Sequence, residues 1–386
     1  MAQSQKRPRK KLKVNKLKYD GRLDNIFKLW LLNGILSIVT LGIYYFWGTT
    51  KLRQYFAGSL SLRGDRFEWH GTGKEMFVGY LKTILILAAV LIALIIVYYI
   101  TTFTLGFVAG IESKVSGDSV NDSLGFYAML TVTINLILIM ATTFYLRSAA
   151  KYMAIRYRLA RISWRGIHGH LQGSSLKYGL FSLKRTFYNI ISLGYLKPHS
   201  DIIKHKYIVD NASLGDINLK FNPAGVDWKK LRTRNIFGLM APILGFICFA
   251  MPILFELVGL TTFPIFTVFM YLSGTLVLIL APIFFVMYRI ELIRSKVRGL
   301  TAKSFRFKLK VTAWGLYIFL AVNYSILLIT FGLGKPFIAH RKLKFISRHL
   351  VIGGDLESEE IQQAKKYKAG LAEGLDDALG VDSGLM

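Results

Sequence analysis

Apolar runs long enough to cross a bilayer occur four times along the chain. They extend from Tyr80 to Phe103, from Gly125 to Leu146, from Ile236 to Leu260 and from Pro264 to Tyr288. A helix of about 20 apolar residues spans about 30 Å of hydrocarbon, so each run predicts a transmembrane helix. A very short turn separates the last two runs, which therefore predict a hairpin.

Three further apolar segments share a motif and predict an internal repeat. They run from Ile26 to Trp47, from Tyr178 to Pro198 and from Thr312 to Pro336. Aligned on a glycine, each has a Ser or Thr two positions earlier and a Pro or aromatic residue four positions later: Gly42, Gly194 and Gly332; Thr40, Ser192 and Thr330; Phe46, Pro198 and Pro336. The glycine allows a break in the helix, and the Pro or aromatic residue ends the helix or anchors it at the interface.

The distribution of charge decides between two topologies for these three segments. If all seven segments cross, the strongly basic loop 147–177, which has no acidic residue, lies outside, whereas the acidic loop 104–123 is cytoplasmic. That arrangement reverses the positive-inside rule. If the three motif segments enter and return on one side, every basic stretch becomes cytoplasmic. The second segment supports this, because its charge-free part, Thr186 to Leu196, forms a helix of only about 16 Å.

The predicted fold is therefore an α-helical multi-pass membrane protein with four full transmembrane helices and three repeated re-entrant segments. Seven transmembrane helices remain the alternative. Alternating polar and apolar residues predict a small cytoplasmic β-strand module, in stretches beginning at Lys11, Arg66, Ile162, Ile217 and Phe305. The predicted divisions are a basic N-terminal segment 1–25, repeat units 26–75 and 289–356, hairpins 76–146 and 236–288, strands with the second repeat unit 147–235, and a polar tail 357–386.

Composition agrees with a membrane protein and narrows its chemistry. The 386 residues are 53% hydrophobic, with a mean hydropathy of +0.41, which is too apolar for an ordinary soluble domain. The net charge of +28 is explained by basic loops between membrane segments, so no nucleic-acid partner is expected. The segment 1–25 is dense in Lys and Arg, which predicts cytoplasmic termini. The lone Cys248 excludes a disulfide within one chain.

Polar side chains inside apolar segments are candidates for a solute path. They are Asn33, Asn135, Asn189 and Asn323. Such groups are costly in hydrocarbon and either line a path or join helices by hydrogen bonds. His168 and His170 lie two apart, but no third zinc ligand is near in sequence. Without a recognisable catalytic motif, we expect no enzymatic activity, cofactor or metal.

Basic residues near the apolar segments are candidate contacts to anionic lipids: Arg53, Arg158, Arg161, Arg165, Lys204 and Lys342. Alternatively, these basic residues serve only to set the orientation of the membrane segments. The predicted function is transport of a small, perhaps anionic, solute. The alternative is a non-enzymatic scaffold that binds anionic lipid or organises the envelope.

Four stretches are similar to a known family: NGILSIVTLGIYYFW, KLRQYF, GDRFEWHGTGKEMFVGYL and YRLARISWRGIHGHLQGSSLKYG. Over residues 17–352 the chain resembles the YjgN family of bacterial inner-membrane proteins. The resemblance implies a multi-pass protein of the bacterial inner membrane. The family has no assigned function, so the resemblance implies no catalytic residues.

Overall fold

The computed structural model describes residues 14–116, 120–258, 263–303 and 305–354. The α-helices of these residues come in five consecutive pairs. The pairs are α1 (Leu23–Val39) with α2 (Tyr45–Gly58), α3 (Gly73–Ser116) with α4 (Val120–Arg161), α5 (Ser175–Ile191) with α6 (Lys197–Asp210), α7 (Trp228–Leu257) with α8 (Pro264–Gly299), and α9 (Ala313–Ile329) with α10 (Lys335–His349).

Short strands separate the helix pairs. They are β1 (Val14–Tyr19), β2 (Leu60–Leu62), β3 (Asp65–Trp69), β4 (Ile162–Trp164), β5 (Ile167–Leu171), β6 (Ala212–Leu214), β7 (Ile217–Phe221), β8 (Leu300–Ala302), β9 (Phe305–Leu309) and β10 (Leu350–Gly353). All pair antiparallel in a closed barrel of order β1-β10-β9-β8-β7-β6-β5-β4-β3-β2. The barrel closes between the two ends of the described chain, where Val14 pairs with Gly353.

The barrel consists of five strand pairs joined in the same register, namely four hairpins and the pair that β1 and β10 form between the two ends of the described chain. Where one hairpin meets the next, the last residue of a second strand faces the first residue of the following strand, as in Trp69 with Ile162 and Phe221 with Leu300. Every helix pair leaves and re-enters the barrel at such a joint. All the helix pairs therefore lie at one end, the helix end, and the strand turns lie at the other, the turn end.

Apolar side chains fill the inside of the barrel. All five strand pairs contribute to one buried cluster, which consists of Leu62, Trp164, Ile217, Ala302, Phe305 and Ile352. Alternation along each strand sends these side chains inward and polar neighbours outward. The barrel interior is thus a packed core rather than a water-filled channel.

Four helices are long and apolar enough to cross a membrane, as the sequence predicts: α3, α4, α7 and α8. They form two pairs, α3–α4 and α7–α8, which we call the long hairpins. The helices contain 44, 42, 30 and 36 residues and extend about 45–66 Å from the barrel. They are longer than the predicted spans because each continues beyond its apolar part to the barrel.

The three motif segments form the remaining pairs, α1–α2, α5–α6 and α9–α10, which we call the short hairpins. Their first helices each contain 17 residues, a length of about 25 Å. Each short hairpin begins and ends at the helix end of the barrel. The first and last short hairpins also touch, because the Trp30 indole N–H donates to the Leu333 carbonyl at 3.1 Å.

The predicted strands are confirmed, but the described residues contain more strands than predicted and join them in one closed barrel. The stretch from Ile162 is a complete hairpin, and four very short strands were not predicted: β2, β6, β8 and β10. The predicted polar tail 357–386 and positions 1–13 of the basic N-terminal segment lie outside the described residues.

Candidate membrane-binding site

The first short hairpin turns through two residues in the left-handed backbone region, Leu41 (φ 50°) and Gly42 (φ 88°). The Gly42 N–H donates to the Ser37 carbonyl at 2.7 Å, and the Leu41 N–H donates to the Ile38 carbonyl at 3.1 Å. These two hydrogen bonds form a Schellman motif, which satisfies the last carbonyl groups of a helix. Leu41 occupies the position that glycine usually takes in this motif.

The other two short hairpins contain the same turn. Their left-handed pairs are Leu193–Gly194, with φ of 48° and 83°, and Phe331–Gly332, with φ of 48° and 87°. In both, the glycine N–H donates to the carbonyl five positions earlier, at 2.7 Å and 2.9 Å. The predicted break therefore involves two residues, of which only the second is a glycine.

The hydroxyl group two positions before each glycine caps the returning helix. The Thr40 hydroxyl accepts from the Tyr44 N–H at 2.9 Å and donates to the Leu36 carbonyl at 2.7 Å. The hydroxyls of Ser192 and Thr330 accept in the same way from the N–H four positions later, at 3.2 Å and 2.9 Å. Satisfying a free N–H group at the start of a helix explains the need for Ser or Thr at this position.

The residue four positions after each glycine does not end a helix, contrary to the predicted role. Pro198 and Pro336 lie in the first turn of α6 and α10, where the missing N–H group costs nothing. Phe46 is buried and packs on Phe77 and Tyr80 of α3. These residues start or support the returning helix, and the break itself lies at the left-handed pair.

The most exposed apolar side chains of the turns are those that adopt the left-handed conformation. Leu41, Leu193 and Phe331, which we call the tip residues, are 94%, 88% and 96% exposed. A non-glycine residue in this conformation costs about 1–2 kcal/mol. Motif analysis overlooked the tip residues, although a large apolar residue directly before each aligned glycine is visible in the sequence.

Two of the four candidate asparagines are buried within the short hairpins. The Asn33 amide donates to the Gly48 carbonyl at 3.1 Å and so joins α1 to α2. The Asn323 carbonyl oxygen accepts from the Arg341 guanidinium at 3.1 Å and joins α9 to α10. Both contacts hold together the two helices of one hairpin.

The other two asparagines make comparable contacts. The Asn189 carbonyl oxygen accepts from the Ser200 hydroxyl at 2.8 Å, between α5 and α6. The Asn135 amide donates to the Thr101 hydroxyl at 2.9 Å, between α4 and α3. A solute path along the four asparagines stays a prediction, and the geometry shows the helix-joining contacts named as its alternative.

Two of the candidate lipid-binding arginines form ion pairs. Arg161 pairs with Glu75 at 2.7 Å and ties the end of α4 to the start of α3. Arg165 pairs with Asp65 at 2.6 Å in the β4–β5 turn, which places it at the turn end, away from the helices. Removing either arginine would therefore also change the packing of the protein.

The remaining candidates lie on the helices. The Arg53 guanidinium lies over the Trp69 ring, 5.3 Å from its centre, and the Lys204 ammonium donates to the Thr186 hydroxyl at 3.2 Å. Arg158 lies near the end of α4 and Lys342 lies in α10. Contact of these residues with lipid stays a prediction.

Three histidines lie near one another at the wall of the barrel, where His70 follows β3 and the other two belong to β5. His168 and His170 lie on the polar face of β5, and the His70 ring is 5.0 Å from the His168 ring. Among the described residues, no three His, Cys, Asp or Glu side chains are close enough to hold a metal ion.

A cavity of about 720 Å³ lies on the outer wall of the barrel beside β9. Four basic residues line it: Arg294, Arg298, Arg306 and Lys308. Phe307, which lies between the last two on β9, also lines the cavity and packs against the barrel core. The cavity is therefore a basic surface feature and no part of a passage through the barrel.

Comparison with known proteins places the chain in a family. The model of the family described as bacterial protein of unknown function (DUF898) matches residues 14–378. The chain is 32% identical over 73 residues to inner membrane protein YjgN of Escherichia coli (strain K12), covering 19% of this chain and 18% of that protein. It is 31% identical over 70 residues to inner membrane protein YjgN of Salmonella typhimurium, covering 18% of each.

The aligned segments thus span less than a fifth of these relatives, and no solved structure matches the chain. The family match covers nearly the whole chain, including the barrel and all five helix pairs. The resemblance to inner-membrane proteins predicted from the sequence is confirmed. The chain belongs to the DUF898 family of bacterial membrane proteins of unknown function.

Proposed function

We propose that the protein is a non-enzymatic, anionic-lipid-binding scaffold of the bacterial inner membrane. In this proposal the barrel lies in the cytoplasm, the long hairpins cross the bilayer, and the short hairpins enter only the near leaflet. The observation that carries the proposal is the set of three exposed apolar tip residues, all on the helix side of one barrel.

The lengths of the hairpins support partial insertion of the short ones. All hairpins start from the same barrel end, and the short ones reach about 25 Å whereas the long ones reach about 45–66 Å. Hairpins that end about 20–40 Å sooner do not reach the far side of a bilayer that the long ones cross. Re-entrant backbone needs cover from protein, and neighbouring helices provide it.

The energetics of the tips favour lipid as their surroundings. Burying a Leu or Phe side chain is worth about 2 kcal/mol. That gain is comparable to or larger than the strain of about 1–2 kcal/mol in a left-handed residue. In water the strain would have no compensation, because each tip side chain is almost fully exposed.

Charge supports the proposed orientation. Basic residues are frequent on the returning helices α2, α6 and α10 and on the barrel, and the positive-inside rule assigns such a surface to the cytoplasm. Both ends of the described chain leave the barrel at its turn end. Both termini are therefore proposed to be cytoplasmic.

Solute transport, the other function predicted from the sequence, gains less support. It would require the asparagines to line a path, and their described hydrogen bonds join helices instead. The packed interior of the barrel also favours a scaffold over a conduit.

Depth-dependent quenching tests the proposal. In a Cys248→Ala background, a fluorophore on Leu41→Cys should be quenched by lipids brominated in the acyl chain. A fluorophore on Arg63→Cys is the matched control, because Arg63 is also left-handed (φ 58°) and exposed but lies at the turn end. Quenching at neither position would refute insertion of the tip, and equal quenching at both would refute the placement of the barrel.

Analysis of the lipids that remain bound in the same preparations tests whether the protein binds anionic lipid. Protein purified in mild detergent should retain phosphatidylglycerol or cardiolipin above their share of the membrane. Retention in proportion to the bulk lipid would contradict anionic-lipid binding while leaving the insertion result intact.

A further inference from the structure

Three lysines from three helices interact electrostatically with one carboxylate near the helix end of the barrel, where the Tyr288 hydroxyl of α8 donates to Asp201 of α6 at 2.8 Å. We call Lys151 of α4, Lys204 of α6, Lys296 of α8 and Asp201 of α6 the lysine cluster. Lys296 and Lys204 each interact electrostatically with both Asp201 and Lys151. All four side chains are partly buried.

The charges of the lysine cluster do not balance. Three lysines face one aspartate, and the Asp201 carboxylate already accepts a hydrogen bond from the Tyr288 hydroxyl at 2.8 Å. Lys204 donates only to a neutral hydroxyl. Within the described residues, Lys151 and Lys296 have no hydrogen bond and no ion pair. Partly buried cations that lack a direct hydrogen bond or ion pair are costly, so the cluster favours an added anion.

Arginines around the cluster add to its positive potential. Arg147 and Arg289 interact with Lys151, and Arg185 interacts with Lys204. Burial is the main cause that lowers the pKa of Lys204, and Lys151 and Arg185 lower it further although Asp201 opposes them.

The charges of the lysine cluster also act on the neighbouring His205. Burial first, and then the charges of Lys296 and Lys151, lower the pKa of His205 to about 3. His205 is therefore neutral at physiological pH, and the positive charge of the site resides on the lysines.

The cluster lies at the level expected for lipid headgroups. Lys151 is ten positions, about 15 Å, before the barrel end of α4, and Lys296 is three positions, about 5 Å, before that of α8. The apolar parts of both helices lie farther from the barrel. The site thus lies between the barrel and the hydrocarbon.

We infer that the lysine cluster binds a phosphate ester, with the headgroup of an anionic phospholipid as its source. Lysine ammonium groups are common phosphate ligands, and the single negative charge of a phosphodiester headgroup would offset part of the excess positive charge of the cluster. Asp201 would disfavour a second anionic group and would accept a hydrogen bond from a headgroup hydroxyl. Only the lipid source rests on the proposed function; a soluble phosphate ester would satisfy the same side chains.

Binding by the purified, delipidated full chain in neutral detergent tests this inference. The probes are dihexanoyl phosphatidylglycerol and inorganic phosphate, measured by calorimetric titration. The variants are Lys151→Gln with Lys296→Gln together, and Lys204→Gln alone. Lys206→Gln is the matched control, because Lys206 lies on α6 next to the cluster but is 42% exposed and pairs with Asp210.

Wild type and Lys206→Gln are expected to bind the short-chain lipid. Each cluster lysine removed should weaken binding about tenfold or more, the factor that corresponds to one charge-assisted hydrogen bond. Binding of phosphate but not of the lipid would support the site and assign it to a soluble ester. Binding of neither probe, or equal affinity in the cluster variants and the control, would overturn the inference. If the double variant does not fold, the affinity of Lys204→Gln compared with that of Lys206→Gln tests the inference.

Discussion

Leu41 has a backbone conformation that is locally unfavourable for leucine but that recurs at equivalent positions of the protein. It occupies the glycine position of a Schellman turn, with φ of 50°, and its side chain is 94% exposed. Leu193 and Phe331 repeat this choice in the other two short hairpins. Strained residues that recur at equivalent places point to function, and under the proposed function lipid tails are the surroundings that reward an exposed apolar side chain.

Replacing a tip residue with glycine should separate strain from membrane contact. Leu41→Gly is expected to keep the turn and to raise the free energy of unfolding in detergent by about 0.5–1 kcal/mol, because glycine adopts a left-handed φ without strain. Val39→Gly is the control, since Val39 is also exposed but is the last residue of α1, where glycine relieves no strain and is less favourable than valine by about 0.3–0.5 kcal/mol. Thermal unfolding of both variants measures the difference. A loss of stability in Leu41→Gly as large as in the control would contradict the assignment of strain.

At the scale of the element, each short hairpin depends on close contact between its two helices. A Cβ atom added at Gly48 of α2 would come within 2.9 Å of the Asn33 side chain of α1. The same asparagine donates to the Gly48 carbonyl. A small residue and a buried amide therefore set the distance between the helices.

Two glycine-to-alanine changes in this hairpin should have opposite effects. Gly48→Ala is expected to destabilise the protein by about 1–3 kcal/mol, because the added methyl overfills the contact. Gly34→Ala is expected to be neutral or to stabilise by up to about 1 kcal/mol, because no atom lies within 4 Å of the added Cβ in a helical position. Melting temperatures in detergent test the pair. Equal shifts would show that Asn33 and Gly48 do not hold the hairpin together.

Much of the element list could be predicted from the sequence. The four transmembrane helices follow from long apolar runs, and the longer strands, such as β3 and β7, show alternation. The shortest strands, such as β2 and β6, contain too few residues to show a period. Left-handed Leu41 could not be predicted from propensity, because propensity alone assigns that conformation to glycine.

The closed barrel is a property of the whole molecule and lay beyond prediction from local pattern. Its closure pairs Val14 with Gly353, and its five strand pairs are separated by helix pairs of very different length. The motif columns identify only the three short hairpins. The long hairpins occupy equivalent places in the ring but share no motif with them, so the fivefold arrangement emerges only in three dimensions.

The barrel determines topology, because it forces every helix pair to return to the end from which it left. Because of this constraint, the re-entrant topology that the charge distribution predicts for the short hairpins is compatible with the geometry of the structure. It also explains how helices as different in length as α1 and α3 coexist as neighbours in one chain.

Cysteine accessibility in intact cells with a permeabilised outer membrane is the most direct test. In a Cys248→Ala background, single cysteines replace Leu41, Leu193, Phe331, Arg63 and Val115, and a membrane-impermeant maleimide is added before and after lysis. Val115, exposed at the far end of α3, should be labelled in intact cells. Arg63 should be labelled only after lysis, and the three tip positions should resist labelling in intact cells. Labelling of the tip positions from outside, together with Val115, would show that the short hairpins cross the membrane and would contradict the account.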